Sequence, residues 1–250
     1  MTENWKYYPC MIGDDVAFIY LNVGASDAID SAPKDLAKIR LAYKSPREDG
    51  LPTSAEFDAV SAIEDRIEEF AGKAADWYVG RITVAGHRVF YVYTHQAEKA
   101  WKTFVDRLAE DTGYQFQLAH SADPEHKGYR EELYPTEDDW QVIEDLRVIE
   151  QLENRGDAVS QPRKVEHWAY FKDEASASAF AQWAAGDRFT LAAKPAQKTQ
   201  DGTYRVRLFH HGTMQIDDIS SHTIALRRKA AELGGEYDGW ESPVVESPMD

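Results

Sequence analysis

The chain has one cysteine, Cys10, in 250 residues. A single thiol excludes an intramolecular disulfide framework and any multi-cysteine zinc centre, and it suits a reducing cytoplasm. Positive charge is scarce too: Lys plus Arg number 28 against 44 Asp plus Glu, a net charge of −16. Cut after Pro135, each half carries −8. No basic domain hides behind an acidic tail, so avid nonspecific binding to phosphate backbones or anionic membranes is not expected. No apolar run approaches a membrane span, and Met1 to Tyr8 lacks the apolar stretch of a secretory leader. Gly-x-Gly-x-x-Gly, Gly-Lys-Ser/Thr and Gly-x-Ser-x-Gly are all missing, which weakens the dinucleotide, nucleotide-hydrolase and serine-hydrolase readings. What remains is ordinary globular composition, 43% hydrophobic and 29% charged, in a length that suits about two domains.

The pattern of apolar residues divides the same way. Trp5 to Ile12 and Val16 to Val23, joined at Gly13-Asp14-Asp15, read as a hairpin, and Lys38 to Lys44 as a third strand. After the breaker-rich loop Pro46 to Pro52, Thr53 and Glu56 have capping-box spacing. Phe57, Val60, Ile63, Ile67 and Phe70 then recur at helical period over 53–71. A hairpin follows at Trp77 to Val84 and His87 to Thr94, then a helix through Trp101, Phe104, Val105 and Leu108, and a strand at 114–119. The second half opens with a helix over 137–154 and continues with a strand at 165–171 and an Ala-rich helix at 174–185. Strands at 189–193 and 204–209, a helix at 216–233 and a last strand at 237–245 complete it. Both halves therefore predict β-α-β-β-α-β, the split βαβ order of a ferredoxin-like α/β sandwich. The first carries an added N-terminal β-hairpin and the second an added N-terminal helix. The expected domains are 1–135 and 136–250, with a charged, proline-bearing linker between Ala122 and Thr136.

Candidate chemistry is sparse. His210 and His211 are neighbours on a strand and point to opposite faces, so they do not chelate one ion together. His120 and His126 flank Asp123 and Glu125, but the spacing fits no zinc pattern and reads as solvated linker. His167, beside Glu166, reads as a packed or hydrogen-bonded strand histidine. Glu64, Asp65, Glu68 and Glu69 read as a solvated helix face, and Glu137, Asp138 and Asp139 complement a helix N-terminus. Trp168 and Tyr170 alternate on one strand face as in RNA-recognition modules. With the glycine-aromatic signature missing and a charge of −8, aromatics covering a sheet against a helix or the other domain are the better reading, and direct nucleic-acid binding is not expected.

A resemblance enters at Gly235-Glu236-Tyr237-Asp238-Gly239-Trp240. A long helix followed by this element resembles the C-terminus of the regulator-of-ribonuclease-E-activity-B (RraB) family. Glu153-Asn154-Arg155-Gly156, the Pro162 loop and Val165-Glu166-His167 agree with it, so the likeness spans about 136–246. In the first half, Trp5 to Pro9, Arg47 to Leu51, Phe57-Asp58, Ile63-Glu64-Asp65 and Tyr78-Val79-Gly80-Arg81-Ile82 resemble a bacterial domain family of unknown function often fused to RraB-like domains. The RraB resemblance implies a ferredoxin-like sandwich that binds ribonuclease E and inhibits or redirects RNA decay by protein contact, with no catalysis and no cofactor. The residues themselves leave two readings of the element open. Gly234-Gly235 ends a helix, Asp238-Gly239 bends a strand, and Tyr237 and Trp240 are either packing anchors or interface anchors.

The expectation is thus a non-enzymatic cytoplasmic regulator, without metal or cofactor, that binds a ribonuclease E-like or other RNA-processing enzyme. Its protein-binding residues are expected among Tyr237, Asp238, Trp240, Glu166, His167, Glu137, Asp138 and Asp139. The rivals are a small-molecule sensor with a ligand between the two sheets and an enzyme in the inter-domain cleft.

Overall fold

In the computed structural model, which describes residues 2–245, the first half runs β1 (Trp5–Ile12), β2 (Asp15–Asn22), β3 (Asp35–Ala42), α1 (Ser54–Lys73), β4 (Trp77–Val84), β5 (His87–Thr94), α2 (Glu98–Thr112), β6 (Gln115–Ala122) and a short α3 (Lys127–Arg130). The second half runs α4 (Glu137–Glu153), β7 (Arg163–Phe171), α5 (Glu174–Gly186), β8 (Thr190–Lys198), β9 (Tyr204–Gly212), α6 (Ile216–Glu232) and β10 (Glu236–Glu241). The chain divides into two compact units, Met1–Asp139 and Trp140–Asp250, and the division falls in the first turn of α4. No helix among the described residues is long and apolar enough to cross a membrane.

The first unit is a six-stranded antiparallel sheet in the order β1-β2-β4-β5-β3-β6. Four of these strands, β6-β3-β5-β4, have ferredoxin-like order, and the N-terminal hairpin extends that sheet past β4. Ala37, Ile39 and Leu41 of β3 meet Val60, Ile63 and Ile67 of α1 and Trp101, Val105 and Leu108 of α2 in one core. Glycine ends α2 as the period suggests: Gly113 takes φ 67°, where a Cβ is costly.

Three expectations change around α1. Thr53 makes no side-chain cap. Glu56 turns inward and accepts the Lys44 amide at 2.7 Å, so its carboxylate closes the loop after β3 instead of the helix end. Phe57 leaves the apolar stripe and is half exposed. Glu64 is not on a solvated face: it is 7% exposed, one turn beyond Val60 on the buried stripe.

The segment after β6 is no linker. Residues 123–134 lie across the helix-free face of the sheet, where Tyr129 and Leu133 are buried and the Tyr129 hydroxyl donates to the Asn22 carbonyl at 2.9 Å. Tyr8 donates to the Leu133 carbonyl, and Tyr93 to Asp123, at 2.8 Å each. His126 is fully buried with Nε2 3.1 Å from the Pro33 carbonyl. A sheet with helices on one side must cover the other, and this segment does so with aromatic residues. Cys10 is half-buried, and burial, with the Asp139 carboxylate behind it, pushes its thiol up to about 11. It is therefore a thiol at neutral pH, the unreactive state.

The second unit is a four-stranded antiparallel sheet in the order β10-β7-β9-β8, again ferredoxin-like. Ala169 and Phe171 of β7 pack with Phe180 of α5 and Leu226 of α6. Strand β8 runs to Lys198, further than alternation suggests, across an irregularity between Leu191 and Ala196. The expected bend at Asp238-Gly239 is present as a register shift between Tyr237 and Gly239. Because Ala169 and Phe171 face the helices, Trp168 and Tyr170 point to the opposite face of the sheet. They do not cover it against a helix of this unit.

Candidate functional site

Helix α4 buries Val142, Asp145, Ile149 and Leu152 at helical spacing, so an acid occupies a core position. Asp145 is 0% exposed. Four neutral donors hold it. Oδ1 accepts from Gln141 Nε2 at 3.0 Å and Trp240 Nε1 at 2.9 Å, and Oδ2 from Ser220 Oγ at 3.0 Å and Thr223 Oγ1 at 2.6 Å. Burial raises its carboxyl above the usual range, and these bonds pull the other way. One side chain thereby ties α4, α6 and β10 together.

Beside it α4 and β10 form a groove of about 230 Å³ lined by Gln141, Glu144, Asp145, Tyr237, Asp238 and Trp240 among others. Glu144 and Asp238 are exposed. The groove thus has a buried carboxylate in its wall, two exposed carboxylates, of which Glu144 also accepts from Arg147 at 3.2 Å, and apolar surface from Trp240 and Val148. That combination suits a long side chain with an apolar stem and a positive head.

Behind the groove runs a line of buried rings. The Tyr237 hydroxyl is 2.7 Å from His167 Nδ1, and His167 Nε2 is 2.8 Å from His210 Nδ1. His210 stacks on His222 with centroids 3.7 Å apart and planes within 8°. Burial, then the neighbouring imidazoles, hold His167 well below its ordinary 6.5; the same causes bring His210 to about 4. Both are neutral at pH 7. His210, Asp218 and His222 are the one group of three among the described residues whose ligand atoms lie within 4.8 Å of each other. Face-to-face rings send their in-plane lone pairs out in parallel, and Asp218 Oδ2 already accepts from the Thr213 amide and hydroxyl at 2.7 and 2.8 Å.

The sequence-expected site residues separate into four places. Tyr237, Asp238 and Trp240 line the groove, but Trp240 is only 8% exposed and the Tyr237 hydroxyl points inward to His167. His167 is fully buried, so it supports the groove and presents no surface. Glu166, one residue earlier, faces the other side of the sheet. There it binds Lys164 and Arg207 (Nε at 2.8 Å), and these bonds lower its carboxyl. Grouping Glu166 with His167 fails because neighbours on a strand face apart. Glu137, Asp138 and Asp139 form the first turn of α4, and Asp139 exchanges hydrogen bonds with Thr136 as a reciprocal cap. Sequence reasoning missed Gln141, Glu144 and Asp145. The signal for Asp145 was an acid in register with Val142, Ile149 and Leu152.

The sheet face carrying Glu166 also presents Trp168, Tyr170, Arg205, Arg207 and Phe209, with Arg207 6.0 Å from the Trp168 ring. Glu166 neutralises part of its positive charge.

Fold and groove together define a two-unit α+β protein whose second unit is a ferredoxin-like sandwich with an acidic groove beside its last strand. Residues 3–134 match the family model described as family of unknown function (DUF695), and residues 142–242 match regulator of ribonuclease activity B (RraB). The chain belongs to the DUF695 family through its first unit and carries an RraB domain as its second. No curated protein matches it.

Proposed function

We propose that the protein regulates a ribonuclease by direct contact, without catalysis, and that the α4–β10 groove receives a basic side chain of a ribonuclease E-like partner. The observation that carries this reading is the position of Asp238, Glu144 and buried Asp145 around one groove inside the RraB domain. A charge of −16 would steer a basic segment toward it, so binding weakens as salt rises. The protein then acts by covering that segment, and it draws on no cofactor.

Isothermal titration of the full chain against the basic scaffold region of ribonuclease E tests this. The expected result is saturable binding that falls with salt and drops roughly tenfold, about 1.4 kcal/mol, in the double variant Glu144→Gln/Asp238→Asn. Both side chains are exposed, so the variant keeps its fold. No heat at low salt, or affinity indifferent to both substitutions, overturns the reading.

A further inference from the structure

The first unit holds a cavity that the ribonuclease reading does not use. Of the five segments that carry the N-terminal likeness, far apart in sequence, four line one place and the fifth, Ile63-Glu64-Asp65, backs it through Glu64. Tyr7 comes from β1, Arg47 and Leu51 from the loop after β3, Phe57 from α1, and Arg81 from β4; they line a cavity of about 200 Å³ with Phe18, Tyr20, Thr83 and Arg88. Glu64 and Tyr78 stand behind it.

The cavity is built by specific backbone devices. Tyr78 and Arg81 are three residues apart and would face opposite sides of a regular strand. The register shift between Tyr78 and Gly80 turns both toward α1, where the Tyr78 hydroxyl donates to Glu64 Oε1 at 2.7 Å and Arg81 binds the same oxygen. Gly80, at φ 151°, allows β2 to pass: a Cβ there would lie 2.5 Å from the Tyr20 carbonyl oxygen. The breaker-rich loop is fixed as a wall. Arg47 N donates to the Leu51 carbonyl at 2.8 Å, and Gly86 N to the Gly50 carbonyl at 2.8 Å. Gly50, at φ 76°, sits so close that a Cβ would lie 2.9 Å from Ala85 Cα.

The charge balance is unusual for so buried a place. Glu64 is one carboxylate serving two guanidiniums, Arg81 through Oε1 and Arg88 through Oε2 at 3.2 Å. Arg88 is 3% exposed, with Nε on Thr83 Oγ1 and Nη1 on Glu64, bonds that do not use its Nη2. Glu68, the other carboxylate acting on Arg81, does not line the cavity. Arg47 adds a third guanidinium at the rim, 2.6 Å from Asp49. The walls are flat and apolar: Tyr7 and Phe18 stack with centroids 5.3 Å apart, Arg81 lies 4.4 Å over the Tyr20 ring, and Tyr7 and Phe57 are about half exposed. A guanidinium has more N–H donors than one carboxylate uses, so Arg88 and Arg47 keep donors for a planar oxyanion, and exposed ring faces take a second ring.

We infer that this cavity binds a small aromatic anion, a flat ring carrying a phosphate or carboxylate, with the anionic group on Arg88 and Arg47 and the ring between Tyr7 and Phe57. The site belongs to the first unit alone and stands or falls separately from the ribonuclease reading.

The test titrates the full chain with adenosine monophosphate and with benzoate, and in parallel with adenosine and with inorganic phosphate. Titration calorimetry is read beside tryptophan fluorescence, since Trp5 stacks on Tyr20 at 4.8 Å. The expected result is saturable binding of at least one ring-bearing anion, with adenosine and phosphate each roughly tenfold or more weaker, and the preferred anion separates a phosphate source from a carboxylate source. Phe57→Ala and Arg47→Ala, both on exposed side chains, each weaken binding by about tenfold at unchanged melting temperature. The inference is overturned if neither anion binds at millimolar concentration. It is also overturned if adenosine binds as well as its monophosphate, or if both variants bind like the parent.

Discussion

Trp240 donates its indole N–H to Asp145 Oδ1 at 2.9 Å, joining the last strand to a helix 95 residues earlier. This bond gives the Tyr-Asp-Gly-Trp element a physical role. The bulge at Asp238-Gly239 resets the strand so that both Tyr237 and Trp240 face inward, one to His167 and one to Asp145. Asp145 is a buried carboxyl group held by neutral donors, so each donor counts toward keeping it buried.

Removing that donor has a defined cost. Trp240→Phe keeps most of the apolar volume and leaves Asp145 one bond short, so it lowers unfolding free energy by about 1–3 kcal/mol. Trp240→Ala adds a cavity and costs about 3–5 kcal/mol. Chemical denaturation followed by circular dichroism checks both values. A Trp240→Phe variant as stable as the parent would show that the bond contributes nothing net.

The acidic stretch of α1 contains one residue unlike its neighbours. Glu64→Leu leaves Arg88 buried without its carboxylate and destabilises the protein by about 3–5 kcal/mol. Glu69→Gln removes only an exposed pair with Lys73 and leaves the denaturant midpoint at that of the parent. Denaturant midpoints of the two variants make the comparison.

Acidification acts on the buried histidines. His167 and His210 have folded-state values below 6.5, so the unfolded chain takes up protons first. Their contribution is present above pH 6.5 and is lost as pH falls toward 4. Asp145, raised above 3.8, has the opposite sign and favours the fold as pH drops through its own titration. Ring-carbon shifts of the histidines, recorded by NMR between pH 7.5 and 4.5, are expected to show both imidazoles neutral well below pH 6. Titration of His210 near 6.5 would contradict its packing.

Residues 123–134 behave as part of a fold. Trypsin under native conditions is expected to spare Lys127 and Arg130, and their cleavage to follow global unfolding, because Tyr129 and Leu133 pin the segment to the sheet. Early cleavage there, leaving two stable fragments, would mark it as a free connector.

Much of this architecture is legible in the residues. Strand β1 and the β4–β5 hairpin have the bounds that alternation indicates, and Gly113 ends α2 where the apolar period stops. What was misread is mostly polar and buried. Glu56, Glu64, His126 and Asp145 all look like surface or linker residues by type, yet each is buried. Their burial rests on partners that come from elsewhere in the chain: a loop amide for Glu56, two arginines for Glu64, the Pro33 carbonyl for His126 and four donors for Asp145.

Periodicity is a local property, so the sequence alone determined the two β-α-β-β-α-β runs, their glycine stops and the bend before Trp240. Tertiary structure decided which charges go inside. It set one carboxylate between Arg81 and Arg88 and another beneath Trp240, and it folded an apparent linker over a sheet. A buried charge is tolerated only where its partners converge, and convergence is a matter of distance in space that spacing along the chain does not encode.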